Sequence, residues 1–125
     1  MHGKVCWNEL NTWTPDQAKT YYAQLFGWSF EEMPTPDGEA PYWVAVKDGE
    51  QVAGIFTLKS PDFDGMPSHW FTYFAVEDMK QAIADNTAAG GKVFRAPFDI
   101  PNVGTMAVIR DSTGAGLALM KAASD

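Results

Sequence analysis

The sequence predicts an α+β domain made of two copies of a strand-helix-strand-strand-strand unit, the first over about residues 4–59 and the second over about 69–121. Three observations carry this. A strand-like run leads into a capped helix twice, after Val5 to Leu10 and after His69 to Val76. A tight aspartate turn joins two alternating runs late in each half, at Asp48-Gly49 and at Asp111 to Gly114. The landmarks also recur at nearly constant separation: 64 residues from Thr14 to Asp78, 63 from Gly27 to Gly90, 63 from Asp48 to Asp111 and 62 from Gly54 to Gly116. A spacing shared by caps, stops and hairpins marks an internal repeat.

In chain order, Val5 to Leu10 reads as a strand with Val5, Trp7 and Glu9 on one face. Thr14-Pro15-Asp16-Gln17 reads as a capping box with proline at the first helical position. Ala18, Tyr21, Tyr22, Leu25 and Phe26 then fall at helical spacing, an apolar stripe expected to face a sheet, and Gly27 stops the helix. Trp28 to Met33 is the second strand; Trp43 to Lys47 and Gln51 to Lys59 are the arms of the first hairpin.

The second copy opens with the aromatic and β-branched run His69 to Val76, whose alternation sets His69, Phe71 and Tyr73 on one face. Asp78 caps the following helix, Gln81 completes its capping box, and Gly90 supplies a left-handed stop. The next strand is faint, around Lys92 to Arg95, before the hairpin arms Thr105 to Arg110 and Ala115 to Lys121. Proline, glycine and aspartate concentrate at Pro34 to Pro41, Ser60 to Pro67 and Pro97 to Gly104, which read as loops.

At 125 residues, 46% hydrophobic and 14% aromatic, the chain is long enough to bury the core of a single domain. Its net charge is −7 and no predicted element gathers Lys and Arg, so a nucleic-acid partner is not expected. No apolar run reaches the length of a membrane span, and Met1-His2-Gly3-Lys4 leads straight into a strand without a signal-peptide core. The expectation is therefore a cytoplasmic protein without a membrane partner. The lone Cys6 reads as a buried, inert thiol on the helix-facing side of its strand. No Ser-His-Asp grouping, Gly-rich phosphate loop or paired-cysteine motif can be placed on one site.

The paired units, with WNEL at 7–10, YYAQLFGW at 21–28, HWFTYFAVED at 69–78 and VIRDSTGAGLALM at 108–120, resemble the glyoxalase, bleomycin-resistance and extradiol-dioxygenase superfamily, also called the vicinal oxygen chelate fold. Within it the chain is most similar to the glyoxalase-like "putative hydroxylase" branch. The resemblance implies two βαβββ modules forming a curled, cup-like mixed β-sheet with helices outside, and a homodimer. Metal-using members place a ligand on the first and fourth strand of each module, so that four N or O donors hold one divalent ion. Aligned on the caps and hairpins, those positions fall on Trp7, Phe56, Phe71 and Ala118, none of which ligates a metal. No metal and no cofactor are therefore expected.

The polar groups on the implied cup face are Glu9, His69 and Tyr73, the candidates for catalysis. A carboxylate on an otherwise aromatic face is either desolvated, and so driven toward the range of a general base, or paired with a donor such as Tyr73 or an indole N–H. For His69, at the start of a strand, the simpler role is a bond to a backbone carbonyl or water. Trp7, Trp43, Phe56, Phe71, Met106 and Met120 are the candidate ligand-binding residues, since large aromatic faces with a few polar tips hold apolar or planar molecules without a metal. Three function classes follow: a metal-free protein binding an apolar or aromatic small molecule, which fits best; a glyoxalase-type lyase or isomerase using Glu9 with His69 or Tyr73; and an interaction subunit whose cup is filled as core.

Overall fold

The computed structural model describes residues 1–35 and 40–123. The centre of the loop expected at 34–41 thus lies outside the described residues. Its elements are β1 (Val5–Thr12), α1 (Pro15–Phe26), β2 (Ser29–Met33), β3 (Tyr42–Lys47), β4 (Glu50–Thr57), β5 (His69–Ala75), α2 (Met79–Ala88), β6 (Lys92–Ile100), β7 (Gly104–Arg110) and β8 (Gly116–Ala122). This is the expected α+β order, βαβββ repeated. The chain divides into two units, Trp7–Trp70 and a second made of Met1–Cys6 with Phe71–Asp125.

In the 7–70 unit the strands lie in the order β2-β3-β4-β1. Helix α1 carries the chain from β1 to the far edge, and two antiparallel steps bring it back, so β4 runs parallel to β1. Asp48 and Gly49 both take positive φ, 52° and 80°, which gives the β3–β4 turn the twist that flanking strands need. Leu10, Val44, Ala45, Ala53, Ile55 and Leu58 are buried in this unit.

The other unit repeats the plan as β6-β7-β8-β5, with β5 parallel to β8. Its core joins Val76 and Met79 to Ala107, Ile109 and Leu119, with Phe74, Ala82, Ile83 and Leu117 packed against them. Residues 1–6 belong here because the Gly3 amide donates to the Ala75 carbonyl and the Ala75 amide to the Lys4 carbonyl, each at 2.8 Å. Cys6 is half-buried, its thiol 3.6 Å from the Tyr73 carbonyl, and burial pushes its pKa up.

Several expectations change. The α2 cap forms as read, Asp78 accepting from the Gln81 amide at 3.0 Å. Thr14 makes no side-chain cap; the Thr14 amide instead donates to the Thr12 hydroxyl at 3.2 Å. The α1 stripe does not bury as a face: no α1 residue is buried, and Tyr21, Leu25 and Phe26 are 55%, 53% and 48% exposed. The faint strand after α2 extends from Lys92 to Ile100, past the proline expected to start a loop, with register shifts at Val93/Arg95 and Arg95/Phe98. Edge position and irregular pairing are what accommodate Pro97, which has no N–H for a ladder. Finally, Glu9 pairs with Gly54 and Tyr73 with Ala118, so the repeat offset at the fourth strand is 64, matching Gly54 with Ala118 rather than with Gly116.

Candidate functional site

Alternation along β1 puts Trp7, Glu9 and Asn11 on one face. β4 sets Gly54 beside Glu9 and Phe56 beside Asn11, while β3 sets Val44 beside Gly54 and so brings Tyr42, two residues earlier, to the same face. There the side chains form a short hydrogen-bond chain. The Trp7 indole N–H donates to the Tyr42 hydroxyl at 3.0 Å, and that hydroxyl donates to Glu9 Oε2 at 2.8 Å. The direction is fixed by chemistry, since an indole only donates and a carboxylate only accepts. Glu9 is 7% exposed, so its carboxyl group sits inside protein and takes the Tyr42 phenol as a donor.

Burial drives the Tyr42 phenol far above its ordinary pKa, and the Glu9 carboxylate pushes the same way through its charge and its hydrogen bond; the bond from Trp7 pulls down only in part. The phenol therefore stays a donor. Gly54 is part of the device: a Cβ there would collide with the Tyr42 hydroxyl and stand 3.0 Å from Trp7 Nε1. Neither Tyr42 nor Gly54 is among the sequence candidates, because alternation in the sequence starts the strand at Trp43. The available signal was the spacing of Tyr42, Val44 and Val46 opposite a glycine in the facing strand.

His69 joins the far end of this face. Its Nδ1 lies 2.8 Å from the Pro67 carbonyl, which only accepts, so Nδ1 carries hydrogen and Nε2 accepts from Asn11 Nδ2 at 3.2 Å. The bond to a backbone carbonyl is the simpler of the roles foreseen for this histidine. Asn11 is 9% exposed, and its Oδ1 is buried with no hydrogen-bond partner among the described residues. Phe56 packs edge-on to Phe63, ring centres 5.7 Å apart.

Trp43 does not share this face. It pairs with Ile55 and takes Lys19 of α1 at 3.3 Å over its ring, so it stands on the opposite side of the sheet from Trp7, Glu9 and Phe56. The reason is parity: Tyr42 and Trp43 are neighbours, and only one of them can point each way.

The remaining candidates lie in the other unit. Tyr73, 6% exposed, donates its hydroxyl to Met106 Sδ at 4.0 Å, and Phe71 stands edge-on to it with ring centres 6.1 Å apart. Met120 is opposite Met106 in the ladder, and it lines a cavity of about 440 Å³ with Cys6, Ala75 and Val76 among others.

The divalent ion implied by the resemblance does not fit these residues. At the first-strand positions stand an indole, whose N–H has no lone pair to give, and a phenyl ring; at the fourth-strand positions the ladder offers Gly54 and Ala118, or Phe56 and Met120 two residues on. Glu9 is engaged by Tyr42, and both ring nitrogens of His69 are engaged by Pro67 and Asn11. Among the described residues no group of three His, Cys, Asp or Glu side chains is placed to hold a metal.

Comparison with known proteins agrees with this architecture. The sequence model of the Glyoxalase/Bleomycin resistance protein/Dioxygenase superfamily matches residues 7–119. "Putative glyoxylase CFP32" of Mycobacterium tuberculosis is 38% identical over 120 residues, covering 96% of this chain and 46% of that protein. "Anthracycline biosynthesis protein DnrV" of Streptomyces peucetius is 32% identical over 132 residues, covering 95% and 47%. The chain thus spans about half the length of the curated relatives it matches. A substituted methylmalonyl-CoA epimerase of Streptomyces coelicolor, solved in complex with 2-nitronate-propionyl-CoA, superposes with a TM-score of 0.69 at 13% identity over 99% of this chain and 100% of that one, a likeness of fold.

Proposed function

The chain belongs to the Glyoxalase/Bleomycin resistance protein/Dioxygenase superfamily, and from that premise we propose that it binds an apolar or aromatic small molecule, without a metal, on the sheet face carrying Trp7, Glu9, Tyr42 and Phe56. We place it in the cytoplasm as a homodimer. The observation that carries the reading is the buried chain from Trp7 through Tyr42 to Glu9: an aromatic face with one fixed, charged tip suits a flat molecule that presents a hydrogen-bond donor or a positive charge. The relative named for anthracycline biosynthesis supports this choice of ligand class, since an anthracycline is a planar aromatic system with polar edges.

The test is a thermal-shift and tryptophan-fluorescence titration against planar aromatic compounds, an anthracycline among them. At least one compound raises the Tm of the wild type. Trp7→Ala and Glu9→Gln each weaken its binding about tenfold, the scale of losing one central contact. Trp43→Ala, on the opposite face, leaves affinity unchanged. No shift in the wild type, or equal binding in all three variants, removes the assignment.

A second reading is a glyoxalase-type lyase or isomerase with Glu9 as general base, and the buried carboxylate favours it. The relative named as a glyoxylase points the same way. His69 then serves to orient Asn11, and the Tyr73 hydroxyl is engaged with Met106. Loss of turnover in Glu9→Gln at unchanged ligand affinity would favour this enzyme over the binder.

A further inference from the structure

We propose that Asn11 Oδ1 accepts a hydrogen bond from a ligand whose other polar end is held at Glu9. The inference rests on the ligand-binding reading above and narrows the ligand to a flat molecule with a donor at each of two ends. Two buried side-chain oxygens lack a hydrogen-bond partner among the described residues, Asn11 Oδ1 and Thr57 Oγ1. They differ in place and in freedom. Asn11 is in register with Phe56 and shares the face of Trp7 and Glu9, whereas Thr57 is in register with Thr12, one step on and so on the other side of the sheet. A hydroxyl turns about its own bond to find a partner; an amide held by its nitrogen does not.

This amide is held. The Pro67 carbonyl only accepts, so His69 Nδ1 carries the hydrogen and Nε2 keeps its lone pair. Only the amide nitrogen of Asn11 can face that lone pair, at 3.2 Å, which turns Oδ1 the other way. Pro67, His69 and Asn11 thus form a line in which each group fixes the next, and its open end is an acceptor. A buried acceptor without a partner destabilises the free protein, and a ligand donor relieves that. Glu9 and Asn11 are two residues apart on one strand, so their backbone positions are about 6.6 Å apart, close to the span of one aromatic ring with a polar group at each end. Phe56 and Phe63, edge-on to each other, are both half-buried, and their turning admits the ligand ring to an oxygen that water does not reach. No solvent competes for that oxygen, so the site discriminates against a molecule that lacks the second donor.

Calorimetric titration of the full chain with tyramine and with O-methyltyramine tests this. Both carry an ammonium group for Glu9, and only tyramine carries a phenol hydroxyl to donate to Asn11. The wild type binds tyramine about tenfold more tightly than its methyl ether, the scale of one buried hydrogen bond. Asn11→Leu, similar in size but without the acceptor, abolishes the preference while circular dichroism stays unchanged. His69→Leu releases the amide to turn, reduces the preference about threefold, and stands in should Asn11→Leu misfold. A role for Asn11 in packing alone, or in holding a buried water, would alter the Tm of these variants and leave the ratio of the two affinities where it was. Equal binding of the two amines by the wild type, binding of neither, or a preference that survives the leucine variants overturns the proposal. An anthracycline that binds the wild type and is lost in Trp7→Ala would then leave the ligand-binding reading standing; no binding by any planar compound removes both.

Discussion

Glu9, Tyr42 and Gly54 in one unit have Tyr73, Met106 and Ala118 as counterparts in the other, at a constant separation of 64 residues. In both trios the first-strand residue bonds to a residue near the start of the third strand: phenol to carboxylate at 2.8 Å in the first, phenol to thioether at 4.0 Å in the second. Where the contact is charged and tight, the fourth strand gives up its side chain at Gly54; where it is loose and apolar, a methyl group fills the space at Ala118, which is fully buried. One backbone plan therefore holds a poised polar group in one copy and ordinary core in the other. This difference is our reason for assigning the proposed site to the first copy.

The largest test of that contrast is Gly54→Ala. The new methyl group must evict the Tyr42 ring, breaking its bonds to Glu9 and Trp7 together, and we expect a loss of about 3 kcal/mol in urea melts. The reverse change at the counterpart, Ala118→Gly, removes only a methyl group from a strand and costs about 1 kcal/mol. Next comes Tyr42→Phe, which leaves Glu9 buried without this donor and costs about 2 kcal/mol; Met106→Leu, close in volume and losing only a weak acceptor, costs under about 1.5 kcal/mol.

The contrast also has a pH signature. The Tyr42 phenol has a folded pKa raised above its ordinary 10.0, so in the unfolded chain it gives up its proton first. Its contribution to stability is whole below pH 10 and declines as pH rises beyond it. Melts on either side of that value should fall less steeply in Tyr42→Phe than in the wild type. The smallest difference is at the helix starts: Asp78→Ala loses a made cap and about 1 kcal/mol, whereas Thr14→Ala, with no cap bond to lose, changes stability by a few tenths of a kcal/mol at most.

The repeat, both helices and both hairpins were legible because each rests on local chemistry: Pro15 and Gly27 for one helix, Asp78 and Gly90 for the other, Asp48-Gly49 for a turn. The site was legible in part. Trp7 and Glu9 follow from alternation within one strand, but Tyr42 depends on where the third strand begins, and a start one residue late exchanges it for Trp43. β6 was obscured by Pro97, which reads as a breaker until the strand is known to lie at an edge with irregular pairing. That the α1 stripe lies open is a matter of what packs against it, which periodicity alone does not reveal.

One arrangement bears on any attempt to take the repeat apart. The opening residues, 1–6, complete the edge of the later half through Gly3, Lys4 and Ala75. Severing the gene near residue 65 would therefore leave the C-terminal fragment with a frayed β5 end whose Ala75 amide and carbonyl have lost their mates. Such a fragment should recover its order only when the missing hexapeptide is given back, spliced ahead of it or added in trans.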